Sequence, residues 1–482
     1  MTSRQSPLDF LDNKLGGGVE AAIAAEHRFR LRRHGHAALL RPPAPGTPAG
    51  WVDGVPVRRG NRMEVLVDGE AALRRMQEAI EGARSHVHIA GWHSSPDFLL
   101  RPEGPPLRDL LAQKAQSVPV RLLIWAGPPL PVFSPSRGHV AKDRIDFQRD
   151  SRIECELDKR ERTMHCHHEK LVIVDDEIAF VGGIDLTHLG GNRLDGNRHP
   201  NDGRLGWHDC ASVIQGPAVV DVARHFVDRW REVTGRDVAD PRQSEPAGEV
   251  DLQILRTLPN SIYGFLPDGE FSILGAYLRA LRAAERFIYL ENQFLWSAEV
   301  VDILIDKLRN PPHPDFRLLL VLPLRPNNGK DTTRGQLGRL LGADSHNRLL
   351  ATTLLGPTAD SPGVYVHAKI GIIDDRWLTI GSANLNEHSL YNDTEMNVLT
   401  LDEKLARTTR LQLWSEHLDL PADQVDGDPS SVIDTVWRTQ CDEQDPVSAA
   451  HQDPIHRVRR ISGLSRRVDR LQGPLRGLLV DG

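Results

Sequence analysis

Two short words of this sequence carry recognisable chemistry: His168-Glu169-Lys170 and His367-Ala368-Lys369. Each is followed by an aliphatic run, Leu171 to Val174 and Ile370 to Ile373, and then by a pair of aspartates. That pattern reads as a strand ending in a tight turn. Residues two apart on a strand share a face, so each histidine is expected beside its lysine. An imidazole next to an ammonium suits a phosphate: the lysine binds the anion, and the imidazole attacks it or moves a proton. One such pair is ordinary surface decoration. Two of them, 199 positions apart in matching surroundings, point to a site.

After each turn a second strand leads to a glycine-flanked polar pair, Gly182-Gly183-Ile184-Asp185 in the first copy and Gly381-Ser382-Ala383-Asn384 in the second. Small residues let a backbone approach a ligand closely, and the Ser382 hydroxyl and Asn384 amide are candidate donors to phosphate oxygens. Asp175 and Asp374 follow their histidines by an odd offset, which on an ideal strand sends them to the opposite face; they are assigned to the turn or to a basic neighbour. His165, Cys166, His167 and His168 imitate a metal cluster, yet alternation divides them between faces and no second Cys/His pair at ligand spacing follows. No metal and no cofactor is expected. Cys166 and Cys210 are read as buried small hydrophobes.

The elements that must position these residues form an internal repeat. A helical segment runs into a strand at Ala79 to Trp92 and again at Ala280 to Phe294. Val120 to Trp125 is answered by Phe316 to Val321, and each half closes with a helical stretch that carries a tryptophan, Trp230 and Trp414. Strands alternating with helices predict an α/β fold made of two similar sandwich halves, each a mixed sheet flanked by helices, related by a pseudo-twofold axis. The expected division is an N-terminal extension over 1–55, a first half over 56–236, a second half over 249–420 and a C-terminal tail over 421–482. Asp237 to Gly248, polar and with two prolines, is the linker. The Arg-rich end, Arg457 to Gly482, is broken by glycines and a proline and reads as a solvated tail rather than a membrane-binding helix.

With 482 residues, 39% apolar and 26% charged, the chain has ample material for a large core. A formal net charge of −7 argues against a polyanionic nucleic-acid partner. No run is long and apolar enough for a transmembrane helix, the first residues lack the apolar stretch of a secretory signal, and four scattered cysteines make no disulfide framework. A cytoplasmic location, with export lacking a cleavable signal left open, is the expectation.

The pattern H-x-K-x4-D-x6-G-S-x-N resembles the signature of the phospholipase D superfamily, and it occurs twice. His367, Lys369, Asp374, Gly381, Ser382 and Asn384 match in full; His168, Lys170, Asp175 and Gly182 match, with Gly183 and Asp185 in place of Ser and Asn. That departure is similar to the eukaryote-type branch, as are Gly91-Trp92, Glu291-Asn292-Gln293, Trp207-His208-Asp209 and Asp393-Thr394-Glu395. The resemblance covers about residues 60–420 and looks like a catalytic core alone. It implies that the halves face each other and unite both His-x-Lys pairs in one pocket. His168 would be the nucleophile and His367 the general acid/base. Lys170, Lys369 and Asn384 would hold phosphoryl oxygens, and Asp209 and Glu395 would orient the imidazoles. Asp175, Asp374, Ser382 and Asp185 would play supporting parts. The implied reaction is hydrolysis of a phospholipid to phosphatidic acid and an alcohol, with transphosphatidylation open to it, by a single chain touching a membrane surface peripherally. Its rivals are another phosphodiesterase of the superfamily, a nuclease or a cardiolipin-synthase-like transferase, and a silent phosphate-binding module.

Overall fold

The computed structural model describes residues 22–42, 44, 47, 49–129, 134–162, 165–196, 199, 203–326 and 330–461. In the first half the strands are β1 (Arg58–Val67), β2 (Val87–Gly91), β3 (Val120–Trp125), β4 (Glu154–Asp158), β5 (Leu171–Val174), β6 (Ile178–Gly182), β7 (Gly206–His208) and β8 (Cys210–Gln215). The second half contributes β9 (Val250–Leu258), β10 (Glu270–Phe271), β11 (Phe287–Glu291), β12 (Arg317–Val321), β13 (Leu349–Leu354), β14 (Val364–Val366), β15 (Ile370–Ile373), β16 (Trp377–Gly381) and β17 (Glu395–Thr400). A last strand, β18 (Val458–Arg460), adds to the outer edge at β13.

Sixteen of these strands, among the described residues, join one mixed sheet. β1 and β9 pair antiparallel at its centre. Outward from that seam the order is β8-β6-β5-β2-β3-β4 on one side and β17-β16-β15-β11-β12-β13 on the other. Each strand meets its repeat at the same distance from the seam, which is the arrangement a pseudo-twofold axis produces. β2-β3-β4 and β11-β12-β13 are parallel and need crossover helices, Leu107–Lys114 and Arg137–Gln148 in the first half and Ala298–Arg309 in the second.

The helices Val219–Thr234 and Glu403–Leu418 place Val222, Phe226 and Trp230, and Ala406, Leu413 and Trp414, in an apolar layer that holds side chains of both halves. Each large apolar side chain so buried contributes roughly 1.5–3 kcal/mol. The halves therefore share a core as well as a sheet. Among the described residues no helix is long and apolar enough to cross a membrane, and the four cysteines are buried and form no disulfide.

Two expectations need revision. The His-x-Lys words precede β5 and β15 instead of lying in them, because the chain leaves its own sheet there to bond the opposite half. Residues 421–461, expected as a C-terminal tail, are part of the packed fold: Val425, Val432, Ile433, Trp437, Cys441 and Val458 are buried in the shared core, and β18 extends the sheet. The remainder of the Arg-rich end, 462–482, lies outside the described residues. In the N-terminal extension, Leu31 and Val52 pack into the outer core of the second half, and the Arg30 guanidinium donates to Asn392 Oδ1 and the Tyr391 carbonyl.

Candidate active site

The site is built where the two halves exchange backbone hydrogen bonds. β7 of the first half pairs parallel with β14 of the second, Trp207 opposite Tyr365 and His208 opposite Val366. The chain then turns so that the amides of His367 and Ala368 both donate to the His208 carbonyl, at 2.7 and 3.2 Å. The other junction repeats this: the amides of His168 and Glu169 donate to the Thr394 carbonyl, at 2.8 and 2.9 Å. Each histidine is thus pinned to the residue just before a carboxylate of the opposite half, since Asp209 follows His208 and Glu395 follows Thr394.

The side chains complete the exchange. His168 Nδ1 lies 2.9 Å from Glu395 Oε1, and His367 Nδ1 lies 2.6 Å from Asp209 Oδ2. Each lysine folds back on its own histidine, Lys170 Nζ donating to the His168 carbonyl at 2.6 Å and Lys369 Nζ to that of His367. All four groups are buried: His168 is 2% exposed, Lys170 5%, His367 5% and Lys369 0%.

Asp185, standing where the second copy has Asn384, takes an ion pair from Lys170 at 3.1 Å. Lys369 instead donates to the amide oxygen of Gln293 at 3.1 Å, and Asn384 Nδ2 lies 3.4 Å from that same oxygen. Ser382 donates its hydroxyl to Glu395. In the first copy Gly183 occupies that place, and a Cβ there would overlap Asp209 Oδ1. The glycine makes room for a carboxylate set close against the strand.

Asp175 and Asp374 stand apart from the histidines. Each opens a turn in which two aspartates take positive φ, 60° and 59° at Asp175 and Asp176, 54° and 51° at Asp374 and Asp375. Such turns join twisted strands without splaying them. The Asp175 carboxylate accepts from the amides of Arg84, Ser85 and His86, and that of Asp374 from Glu285, Arg286 and Phe287. They anchor the entry to β2 and β11.

The three neighbouring histidines separate. His165 Nδ1 meets His388 Nδ1 at 3.0 Å, and His167 lies 3.3 Å from Asp158, while His168 faces Glu395. Trp207 stacks on Tyr365 with ring centroids 4.9 Å apart and stands 4.9 Å from the His367 ring, and the Arg193 guanidinium lies over the Trp207 ring, 3.9 Å from its centroid. Trp92 stacks on Trp125, and Tyr391 on His27.

His367 is held well below the ordinary histidine range. Burial is the largest cause, followed by the positive charges of Lys369, Arg193 and Lys170 and by His168. These neighbours come from both halves, so the two His-x-Lys pairs share one electrostatic pocket. An anion entering it would meet the cations and relieve the pressure on the His367 proton.

Sequence reasoning gave no part to Arg193, Gln293, Tyr365 or Ser389. Ser389 donates to Glu395 Oε1, beside the histidine contact. Gln293 stood within a recognised motif word, so a signal for it existed; Arg193 and Ser389 had none.

This is a duplicated α/β protein whose repeats meet at a paired histidine–lysine site. A family model described as "Cardiolipin synthase, PLD-like domain" matches residues 277–415. Phospholipase D A of Dictyostelium discoideum is 26% identical over 476 residues, covering 77% of this chain and 37% of that one. Phospholipase D1 of Schizosaccharomyces pombe is also 26% identical, over 76% and 36%, and phospholipase D2 of Bos taurus is 25% identical, over 78% and 51%. The chain spans between about a third and a half of the length of these relatives. The crystal structure of a phosphatidylserine synthase from Haemophilus influenzae shares the fold, with a TM-score of 0.54 at 11% identity, over 75% of this chain and 87% of the other. Over about three quarters of its length the chain is thus similar to eukaryotic phospholipases D, and much of its second half matches a PLD-like domain.

Proposed function

We propose that the protein is a phospholipase D, which cleaves the distal phosphodiester bond of a glycerophospholipid to give phosphatidic acid and a free alcohol. The observation that carries this reading is the pair of crossed dyads, His168 with Glu395 and His367 with Asp209, each beside a buried lysine. Likeness to the phospholipases D named above supports the substrate class.

In this reading Glu395 holds Nδ1 of His168, so Nε2 is the nitrogen that meets phosphorus. A bond forms from Nε2 to phosphorus as the bond to the head-group oxygen breaks, and His367 gives that oxygen a proton. His367 then takes a proton from water, whose oxygen attacks phosphorus and releases His168. An alcohol in place of water yields a phosphatidyl alcohol. Lys170, Lys369 and Asn384 offset charge on the phosphoryl oxygens, and the carboxylates fix tautomer and orientation. Phosphoryl transfer asks chiefly for positioning and charge stabilisation, which these groups supply without a step through a metal. The membrane contact is transient and peripheral.

The test is purified protein with phosphatidylcholine vesicles and ethanol, lipids read by mass spectrometry. Phosphatidic acid together with phosphatidylethanol is expected. Turnover of a dinucleotide phosphodiester with no change in any of several phospholipid head groups would replace this reading with a nuclease. The cardiolipin-synthase description of the matched model favours a second reading, phosphatidyl transfer, which predicts phosphatidylglycerol converted to cardiolipin in preference to either product above.

A further inference from the structure

Beneath the catalytic junction lies a second cluster of buried donors that the reaction does not use. It joins Asp68 at the start of the helix Asp68–Gly82, His199, His208 at the end of β7, and Glu416 on the helix Glu403–Leu418, with one ligand atom from each within 4.8 Å of all the others. Three of those atoms, Asp68 Oδ2, His199 Nε2 and Glu416 Oε1, are buried and have no hydrogen-bond partner among the described residues. They face one another: His199 Nε2 stands 3.7 Å from Asp68 Oδ2 and 3.7 Å from Glu416 Oε1. His208 Nδ1 is 2.9 Å from Asp68 Oδ1 and 3.5 Å from Glu416 Oε1.

Orphaned carboxylate oxygens at such depth carry a desolvation penalty that only a cation or a donor offsets. Four donors around a tetrahedral zinc ion, at bonds near 2.0–2.1 Å, are themselves about 3.3 Å apart, and the separations above bracket that spacing. Both imidazoles also have the support that metal-bound histidines need on the far nitrogen. His199 Nδ1 is 2.9 Å from Asp195 Oδ2, and His208 Nε2 is 2.7 Å from Glu291 Oε2. Carboxylate backing of this kind fixes the ring so that its other nitrogen faces an ion.

We propose that Asp68, His199, His208 and Glu416 form a structural site for a divalent transition-metal ion of zinc's type, which ties the second half to the first. Two imidazole nitrogens with two carboxylate oxygens suit zinc, whereas magnesium and calcium favour all-oxygen shells with more ligands. The ion takes the place of the His208–Asp68 hydrogen bond and satisfies the three orphaned atoms. Three ligands belong to the first half and Glu416 to the second, so the ion is a cross-link between them. A cavity of ≈ 590 Å³, lined by Glu70, Arg74, Gly196, Ser415, Glu416 and Arg457, reaches one of the four ligands, Glu416. The inference is independent of the proposed reaction, because none of the four ligands belongs to the histidine–lysine pairs.

The test uses the full chain, stripped by a strong chelator, then loaded with zinc or with cobalt(II) and desalted. Expected are about one ion per chain, the intense visible absorption of four-coordinate cobalt, and a melting temperature that rises on loading. Glu416→Gln and His199→Ala should each lower retained zinc at least tenfold and abolish the rise. Asp195→Asn, which leaves every ligand in place, should weaken binding roughly 10–100-fold. His139→Ala, in a separate His/Asp group, should retain the ion. A stripped chain that takes up neither zinc nor cobalt, or a Glu416→Gln protein with undiminished metal content, would overturn the proposal. Should Glu416→Gln or His199→Ala fail to fold, affinity of the Asp195→Asn protein decides it: unchanged affinity also counts against the site.

Discussion

His168 and Glu395 belong to opposite halves of the chain, yet the imidazole Nδ1 lies 2.9 Å from the carboxylate Oε1. His367 and Asp209 repeat the exchange in the reverse direction at 2.6 Å. Neither half orients its own histidine. The paired geometry is therefore a property of the junction, which the β1–β9 seam and the shared apolar layer hold together.

That crossing predicts equal sensitivity at both ends. Glu395→Gln and Asp209→Asn preserve shape while removing the charge that fixes the imidazole tautomer, and each should lower kcat by roughly 10²–10⁴-fold with little change in KM. His168→Ala and His367→Ala should each abolish turnover. Near-full activity in either carboxamide variant would mean that the carboxylates only support packing; steady-state kinetics on phosphatidylcholine vesicles reads the result.

The two copies differ at the residue after the first glycine of the pair, and the difference has a steric cause. Gly183→Ser places a Cβ against Asp209 Oδ1, so Asp209 must shift from the position in which its other oxygen meets His367. A loss of at least tenfold in kcat is expected. Ser382→Ala removes one donor from Glu395 while Ser389 still bonds it. That costs about 1.5–3 kcal/mol of stability, as for a hydrogen bond to a charged group, with a smaller effect on rate. The order of the two variants in an activity assay is the check; a Gly183→Ser enzyme as active as Ser382→Ala would contradict the steric account.

Much of this architecture was legible in the sequence. Strand and helix order, the repeat and the paired His-x-Lys words follow from local periodicity and from short motifs, which a linear reading captures. The crossing of the dyads does not: His168 and Glu395 are 227 positions apart, and no local pattern says which carboxylate reaches which ring. The same holds for Arg193, which acts on His367 through space, and for the cluster at Glu416. Trp437 and Val458 lie in segments without the repeat's pattern, and what buries them is distant in sequence: the shared apolar layer, and the pairing of β18 with β13.

Arg193 supplies a pH test. Its charge is the second of the cations that push the His367 proton off, after Lys369. Arg193→Met should raise the His367 pKa, so the imidazole keeps its proton to a higher pH. In the proposed reaction the protonated form donates to the leaving alcohol. The limb of the kcat/KM profile that reports it should then move to higher pH. Imidazole resonances followed by NMR provide a direct reading, and a limb that stays fixed or moves to lower pH would remove Arg193 from the electrostatics of the pocket.

Behind His168 the scaffold is built around one buried cation. Arg229 is buried and pairs with Asp158 at 2.7 Å, with the Tyr263 hydroxyl at 2.9 Å and with Glu169, the neighbour of His168. Burial alone would raise the Asp158 carboxyl, but His167 and Arg229 beside it hold it well below the usual carboxylate range. A carboxyl depressed in the folded state stabilises the fold above its unfolded pKa of about 4, and that contribution is lost as pH falls through the lower folded value. Arg229→Met leaves Asp158 and Glu169 buried without their cation and should cost about 3–5 kcal/mol near neutral pH. The variant should also lose less stability than the parent between about pH 5 and pH 3, since its Asp158 has less depression to surrender. Urea unfolding at several pH values measures both. A neutral-pH cost below about 1 kcal/mol would show that the guanidinium is replaceable by an apolar side chain of similar reach.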